Sequence, residues 1–159
     1  MTSRYGWSPK GKPVIEKVPC QKGVNYSVLG ALSLSGIVAT FQKEGSIKRV
    51  DFEAFLERDL LPNLRKGSVV VLDNARSHHG GNIAKLIAGA GCELLYLPPY
   101  SPDFNPIELA WAWIKRHVRR LAPRDKASRI EAINTVIRNL PEKFCSPWYK
   151  QSGVQMIYD

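Results

Sequence analysis

Two acids in this chain stand in settings where a carboxylate can do chemistry. Asp73 closes the apolar run Val69-Val70-Val71-Leu72 and is followed by Asn74-Ala75-Arg76-Ser77-His78. Glu108 follows Leu97-Pro98-Pro99-Tyr100-Ser101-Pro102-Asp103-Phe104-Asn105-Pro106-Ile107 and opens a stretch of helical periodicity. Thirty-four residues (74 through 107) lie between them. An acid that ends a buried strand, and another that begins a later helix, can aim both carboxylates at one divalent cation. That suits phosphodiester chemistry, in which metal ions activate a hydroxyl nucleophile and stabilise the leaving oxygen. Each acid also has an ordinary explanation. Asp-Asn after a strand is common turn chemistry. Asn105, Pro106 and Glu108 match the N-cap, N1 and N3 positions of a capping box, where the Glu side chain satisfies the N-cap amide.

The surroundings add charge. Glu108, Ala112, Lys115 and Arg119 recur at spacings of 4, 3 and 4, so one helix face carries an acid at its head and two cations beyond it. A metal-binding acid continued by phosphate contacts has this pattern, and so does a plain solvated face. Residues 115–129 hold seven basic side chains (Lys115, Arg116, Arg119, Arg120, Arg124, Lys126, Arg129) against one acid, Asp125. Such a cluster gives sequence-independent, salt-sensitive affinity for a polyanion. His78 and His79 could ligate metal or move a proton, though a His pair in a loop more often does neither. The sequence contains no phosphate-cradling glycine loop, zinc-ligand spacing or serine-nucleophile elbow.

The elements that must position these residues follow from periodicity. Gly6, Pro9, Gly11, Pro13 and Pro19 oppose a helix at the start of the chain. Tyr26–Leu34 and Ile37–Lys43 read as an antiparallel hairpin. Asp51 is placed as the N-cap of a short helix whose Phe52, Phe55, Leu56 and Leu60 share a face. Strand 68–72, apolar on both faces, reads as a central strand, and sites in open α/β sheets gather at the carboxyl edge of such strands. Helix 82–90, stopped by Gly91, and strand 93–97, stopped by Pro98-Pro99, come next. The helix from Pro106 to about Leu121 aligns Ile107, Trp111, Ile114, Val118 and Leu121 in one stripe. A last helix, 128–140, aligns Ile130, Ile133, Ile137 and Leu140. The order indicates α/β architecture with a mixed sheet.

Composition sets the outer bounds. A chain of 159 residues with 44% hydrophobic content predicts one domain with a core. A formal net charge of +9 favours a polyanionic partner. Cys20, Cys92 and Cys145 are odd in number and lack metal-ligand spacing, which predicts reduced thiols in a cytoplasmic setting. No secretory signal is visible. The uncharged stretch from Gly23 to Gln42 is long enough to raise a membrane span, but Ser35-Gly36 interrupts it and two strands explain it better.

Together, Leu72-Asp73-Asn74-Ala75, His78, the run from Leu97 to Glu108, Trp111 and Lys115 closely resemble the mariner-like insertion-sequence transposases. Arg4 through Gly11 is similar to that family's link between its first two strands, and the likeness extends from about residue 4 to 120. The resemblance implies a ribonuclease H-like α/β fold, a mixed sheet flanked by helices, with a helical tail over 121–159. It implies that Asp73 and Glu108 are the second and third acids of an Asp-Asp-Glu triad binding Mg²⁺, with Mn²⁺ as the alternative ion. Asn74, His78 and Asn105 would flank the site, and Lys115, Arg119 and Arg120 would hold phosphates of double-stranded DNA. A homo-oligomer when complete, a cytoplasmic location (on the nucleoid if the source is bacterial) and no membrane are implied as well.

The chain departs from the pattern in one respect. The family's first acid lies on its first strand, just before the segment resembling Arg4 to Gly11, yet no Asp or Glu occurs between Met1 and Lys12. Expected, then, is a partial catalytic domain over 1–159, lacking its first strand and inactive by itself. A two-frame element with an upstream-encoded part, a decayed remnant and a start placed too far downstream all account for this. The competing functions are a non-catalytic DNA-binding remnant that regulates a related transposase and, more remotely, an unrelated Mg²⁺ nuclease of the same fold.

Overall fold

The computed structural model describes residues 8–12 and 25–154. Strand β1 (Tyr26–Ser33) turns tightly into β2 (Gly36–Glu44), and the two pair antiparallel from Tyr26↔Glu44 to Ser33↔Gly36 with a bulge at Ala31/Leu32. Helix α1 (Arg49–Phe55) continues as one π-helical turn, Leu56–Leu60, and a 3₁₀ turn, Leu61–Asn63. Strand β3 (Val69–Leu72) leads through a 3₁₀ turn, Arg76–His78, into α2 (Ile83–Gly89), and β4 (Glu93–Tyr96) returns parallel to β3. After a 3₁₀ turn at Pro102–Phe104 come α3 (Pro106–Arg120), α4 (Lys126–Arg138), a 3₁₀ turn at Glu142–Phe144 and α5 (Cys145–Gln151).

Among the described residues the strands make two separate two-stranded sheets, β1–β2 and β3–β4, with no ladder joining β1 to β3. One core nevertheless spans both. Phe52, Phe55, Leu56 and Leu60 bury against Val70 and Leu72 of β3, Ile83 and Ile87 of α2, and Ala39 of β2, with Leu29 and Ala31 of β1 packed at the margin. Fully burying a Leu, Ile or Phe stabilises by about 1.5–3 kcal/mol, so this cluster carries much of the fold. The π-helical turn fits that role, since Leu56 and Leu60 are both buried within it.

Several local expectations are corrected. Asp51 is not the N-cap of α1; Lys48 is, and Asp51 sits at N3, accepting the Lys48 amide and pairing with Lys43 Nζ at 2.7 Å. These contacts hold the Asp51 carboxyl below the usual carboxylate range. β3 is not covered on both faces: Val70 and Leu72 are buried, while Val69 and Val71 are 54% and 40% exposed. In α3 the buried residues are Pro106, Ala110 and Ile114, and Leu121 is exposed. In α4 they are Ala132 and Val136 rather than the isoleucine stripe, which is only partly covered. Helix α5 is not among the elements that periodicity picks out. It docks through Tyr149, whose hydroxyl donates to the Leu32 carbonyl at 2.7 Å. Cys92 and Cys145 are free and buried; Cys20 and the first half of the segment from Arg4 to Gly11, residues 4–7, lie outside the described residues. No helix among the described residues is long and apolar enough to cross a membrane.

Candidate active site

Asp73 stands one residue beyond β3, at the carboxyl edge of the parallel pair. Its Oδ1 accepts the Ala75 amide at 2.9 Å, an Asx turn, and also meets His78 Nδ1 at 2.6 Å. The turn reading holds, and the turn leaves the carboxylate 45% exposed while the His78 side chain is only 16% exposed. The His78 ring packs on Phe52 with centroids 4.2 Å apart, and its carbonyl accepts the Tyr96 hydroxyl at 2.6 Å. Tyr96 in turn stacks on His79, whose Nε2 lies 3.0 Å from Asn74 Oδ1. Asn74 Nδ2 donates to the Leu97 carbonyl, tying the loop after β3 to the start of the segment that leads to Glu108.

Both histidines thus contact the Asp73-Asn74 pair, which a loop His pair is not generally expected to do. The signal was present in the sequence, since two consecutive polar residues at 73 and 74 are matched by two histidines five positions on.

Glu108 lies in the first turn of α3, exposed. The expected capping box does not form. Asn105 is the N-cap but makes no side-chain capping bond, and the Glu108 carboxylate has no hydrogen-bond partner among the described residues. Its charge still sits at the positive end of the helix dipole. The loop that delivers it, 98–105, carries Tyr100 at φ 56° with its side chain fully exposed. Lys115, Arg119 and Arg120 are exposed along the rest of α3 and take part in none of the ion pairs among the described residues. Lys126, at the far end of the basic run, is instead paired with Glu44.

The structure therefore brings Asp73, Asn74 and His78 into one hydrogen-bonded unit and leaves Glu108 and Asn105 without side-chain bonds to it. Among the described residues, no group of three or more His, Cys, Asp or Glu side chains comes together to hold a metal ion.

An α/β core with an acid at the carboxyl edge of a parallel strand and a second acid at the head of a later helix, α3, is consistent with a ribonuclease H-like fold. The sequence matches the DDE superfamily endonucleases over residues 1–131, and the chain belongs to that family. The Tcb1 and Tcb2 transposable element transposases of Caenorhabditis briggsae are 27% and 26% identical to it over 123 residues, 75% of this chain and 45% of each relative. The chain thus spans less than half the length of these curated relatives. Its fold is similar to that of the Mos1 strand transfer complex (TM-score 0.55, 16% identity, 97% of this chain and 51% of that one). A pre-cleavage Mos1 transpososome is similar to the same extent (TM-score 0.53, 14% identity, 97% and 52%).

Proposed function

We propose that this chain is part of the catalytic domain of a DNA transposase, the portion that carries two of three metal-holding acids. The observation that supports this most is Asp73. Its carboxylate is oriented at the carboxyl edge of β3 by two hydrogen bonds on Oδ1, and Oδ2 has no hydrogen-bond partner among the described residues. The donors fit Mg²⁺, with Mn²⁺ as its substitute, in kind, since both acids offer the hard carboxylate oxygens that Mg²⁺ takes. They fall short in number. Cations bound there would supply Lewis acidity and a water or hydroxyl nucleophile at neutral pH.

The roles of the chain's own groups follow. Asp73 and Glu108 hold charge at the reacting phosphate. Asn74 keeps the two segments that bear them in register, and Asn105 and His78 flank them. Lys115, Arg119 and Arg120 bind DNA phosphates and position the duplex without reading its sequence. The remaining acid, the family's first, is assigned to a strand seated between β1 and β3; with two acids only, the metal clamp is incomplete and the chain alone is inactive. A homo-oligomer is the working form.

A second reading, a DNA-binding regulator with no chemistry of its own, is favoured by the lack of a three-ligand group among the described residues. One experiment separates them. The 159-residue chain, and a version extended upstream by its own reading frames, are incubated with element-end DNA and Mg²⁺ or Mn²⁺. Cleavage and strand transfer by the extended protein alone, lost in Asp73→Asn and in Glu108→Gln, are expected. Cleavage by the bare chain that Asp73→Asn abolishes would overturn the claim of inactivity; an extended protein that binds but never cuts would favour the regulator.

A further inference from the structure

We infer that His78 is a positioning residue for Asp73: its Nδ1–H fixes the carboxylate rotation so that Oδ2 is the oxygen offered to a divalent cation. The inference rests on the reading of Asp73 as a metal-holding acid and deepens it. A carboxylate that must choose one rotation on binding a cation loses torsional freedom, and a bond already made to its other oxygen removes that cost beforehand.

The geometry supports a rigid support rather than a passing contact. The 2.6 Å separation between Nδ1 and Oδ1 is short for a neutral pair and suits a charge-assisted bond to carboxylate. With an acceptor-only oxygen opposite, Nδ1 must carry the hydrogen. The ring is held by the core and not by the loop it belongs to. One face packs on Phe52, which is itself 3% exposed, and the backbone of His78 is fastened to β4 by the Tyr96 hydroxyl. Oδ1 is thereby used twice, by the Ala75 amide and by His78, and both donors sit on the loop side of the acid. The adjacent contact of His79 with Asn74 repeats the same five-residue spacing and holds the loop closed.

Two substitutions separate the donated bond from the packing. His78→Asn places an amide Nδ2 close to where Nδ1 stands and discards the ring. His78→Phe keeps the ring on Phe52 and discards the donor. Mn²⁺ is titrated into each ¹⁵N-labelled 159-residue protein, and paramagnetic broadening of the amides around residues 73 and 108 is read as a binding curve, with thermal melts run alongside. Expected is affinity within about twofold of wild type for His78→Asn and at least about tenfold weaker for His78→Phe, the scale seen when a ligand's supporting partner is removed. An unchanged or tighter His78→Phe, or equal losses in both variants, overturns the proposal. Tightening would mean that His78 competes with the cation. A measurement on the unsubstituted protein guards against misfolded variants: long-range ¹H–¹⁵N spectra should show His78 protonated at Nδ1, and a ring protonated only at Nε2 sinks the inference. No broadening in the wild-type chain removes the cation reading of Asp73 and Glu108 itself, whereas broadening indifferent to the donor removes only the positioning role.

Discussion

Trp111 lies so close to the α-carbon of Gly30 that a β-carbon there would stand 2.9 Å from Cη2 and 3.0 Å from Cζ2 of the indole. A side chain at position 30 of β1 therefore forces Trp111 or the strand to shift. Trp111 sits three residues after Glu108 on α3, so this contact sets how far that helix, and its acid, stand from the hairpin. Gly30→Ala is expected to cost about 1–3 kcal/mol by overpacking. Trp111→Phe should be less harmful in the Gly30→Ala background than in wild type, with a coupling of about 0.5–3 kcal/mol in a double-mutant cycle. Strictly additive losses in urea titrations would show that α3 is not seated by this contact.

The exposed cations of α3 predict how duplex DNA is bound. Affinity should be weak, tolerant of sequence and steeply salt-dependent. Replacing Lys115, Arg119 and Arg120 together by Glu should lower the slope of log K against log salt by about 0.9 for each phosphate no longer neutralised. The check is fluorescence anisotropy with duplexes of unrelated sequence across a salt series. Tight binding to element ends alone, surviving the triple substitution, would place recognition elsewhere in this chain.

Tyr149 predicts an alkaline transition. Burial, with a smaller contribution from Cys145, pushes its pKa from the ordinary 10.0 up to about 12. The folded state therefore holds the phenolic proton more tightly than the unfolded state does. The resulting stability is complete below about pH 10 and is lost as pH rises toward about 12. A tyrosinate also cannot donate to the Leu32 carbonyl, so α5 should release first. Tyr149→Phe is expected to cost about 1 kcal/mol at neutral pH and to flatten that alkaline window. If melting temperature falls equally steeply above pH 10 in both proteins, another group is responsible.

The inner edges of β1 and β3 predict a gain on completing the sheet. Neither edge has a ladder partner among the described residues, and open edges invite pairing with other chains. An upstream strand that seats between them should raise the melting temperature by about 2–4 °C for each kcal/mol gained and reduce self-association. Scanning calorimetry and light scattering on the fused and bare chains make the comparison. A bare chain that melts cooperatively as a monomer, with no gain on fusion, would mean the strand belongs elsewhere.

Much of this organisation is legible in the residues, because the signals are local. The two hairpin segments and the Gly91 stop each encode their element within a few positions, and the structure places their bounds within one or two residues of expectation, while the Phe52–Leu60 face is buried as expected on a helix that starts three residues early. What escaped depends on distant partners. The exposure of Val69 and Val71 reflects what covers β3, which a run of four apolar residues does not reveal. The cap of α1 is Lys48 and not Asp51, because the Asp51 carboxylate serves as the N3 acid that accepts the Lys48 amide and also pairs with Lys43 of the preceding strand. At the site, the acids could be picked out by setting, but the engagement of Asp73 by His78 needs Phe52 and Tyr96 to hold the ring and its backbone. Those two come from α1 and β4.

The division into two sheets with one shared core also orders events in time. The hairpin joins neighbours in sequence and closes on the scale of about 1–10 μs. The first pair of the parallel sheet, Val69↔Glu93, is 24 residues apart in sequence and must wait for α2 to cross over. Until β3 arrives, Leu29, Ala31 and Ala39 have Phe52, Phe55, Leu56 and Leu60 to pack on but not Val70 or Leu72, so the early hairpin is expected to have an incomplete core. The later crossover is then expected to complete the core, and it brings Asp73 into place with β3.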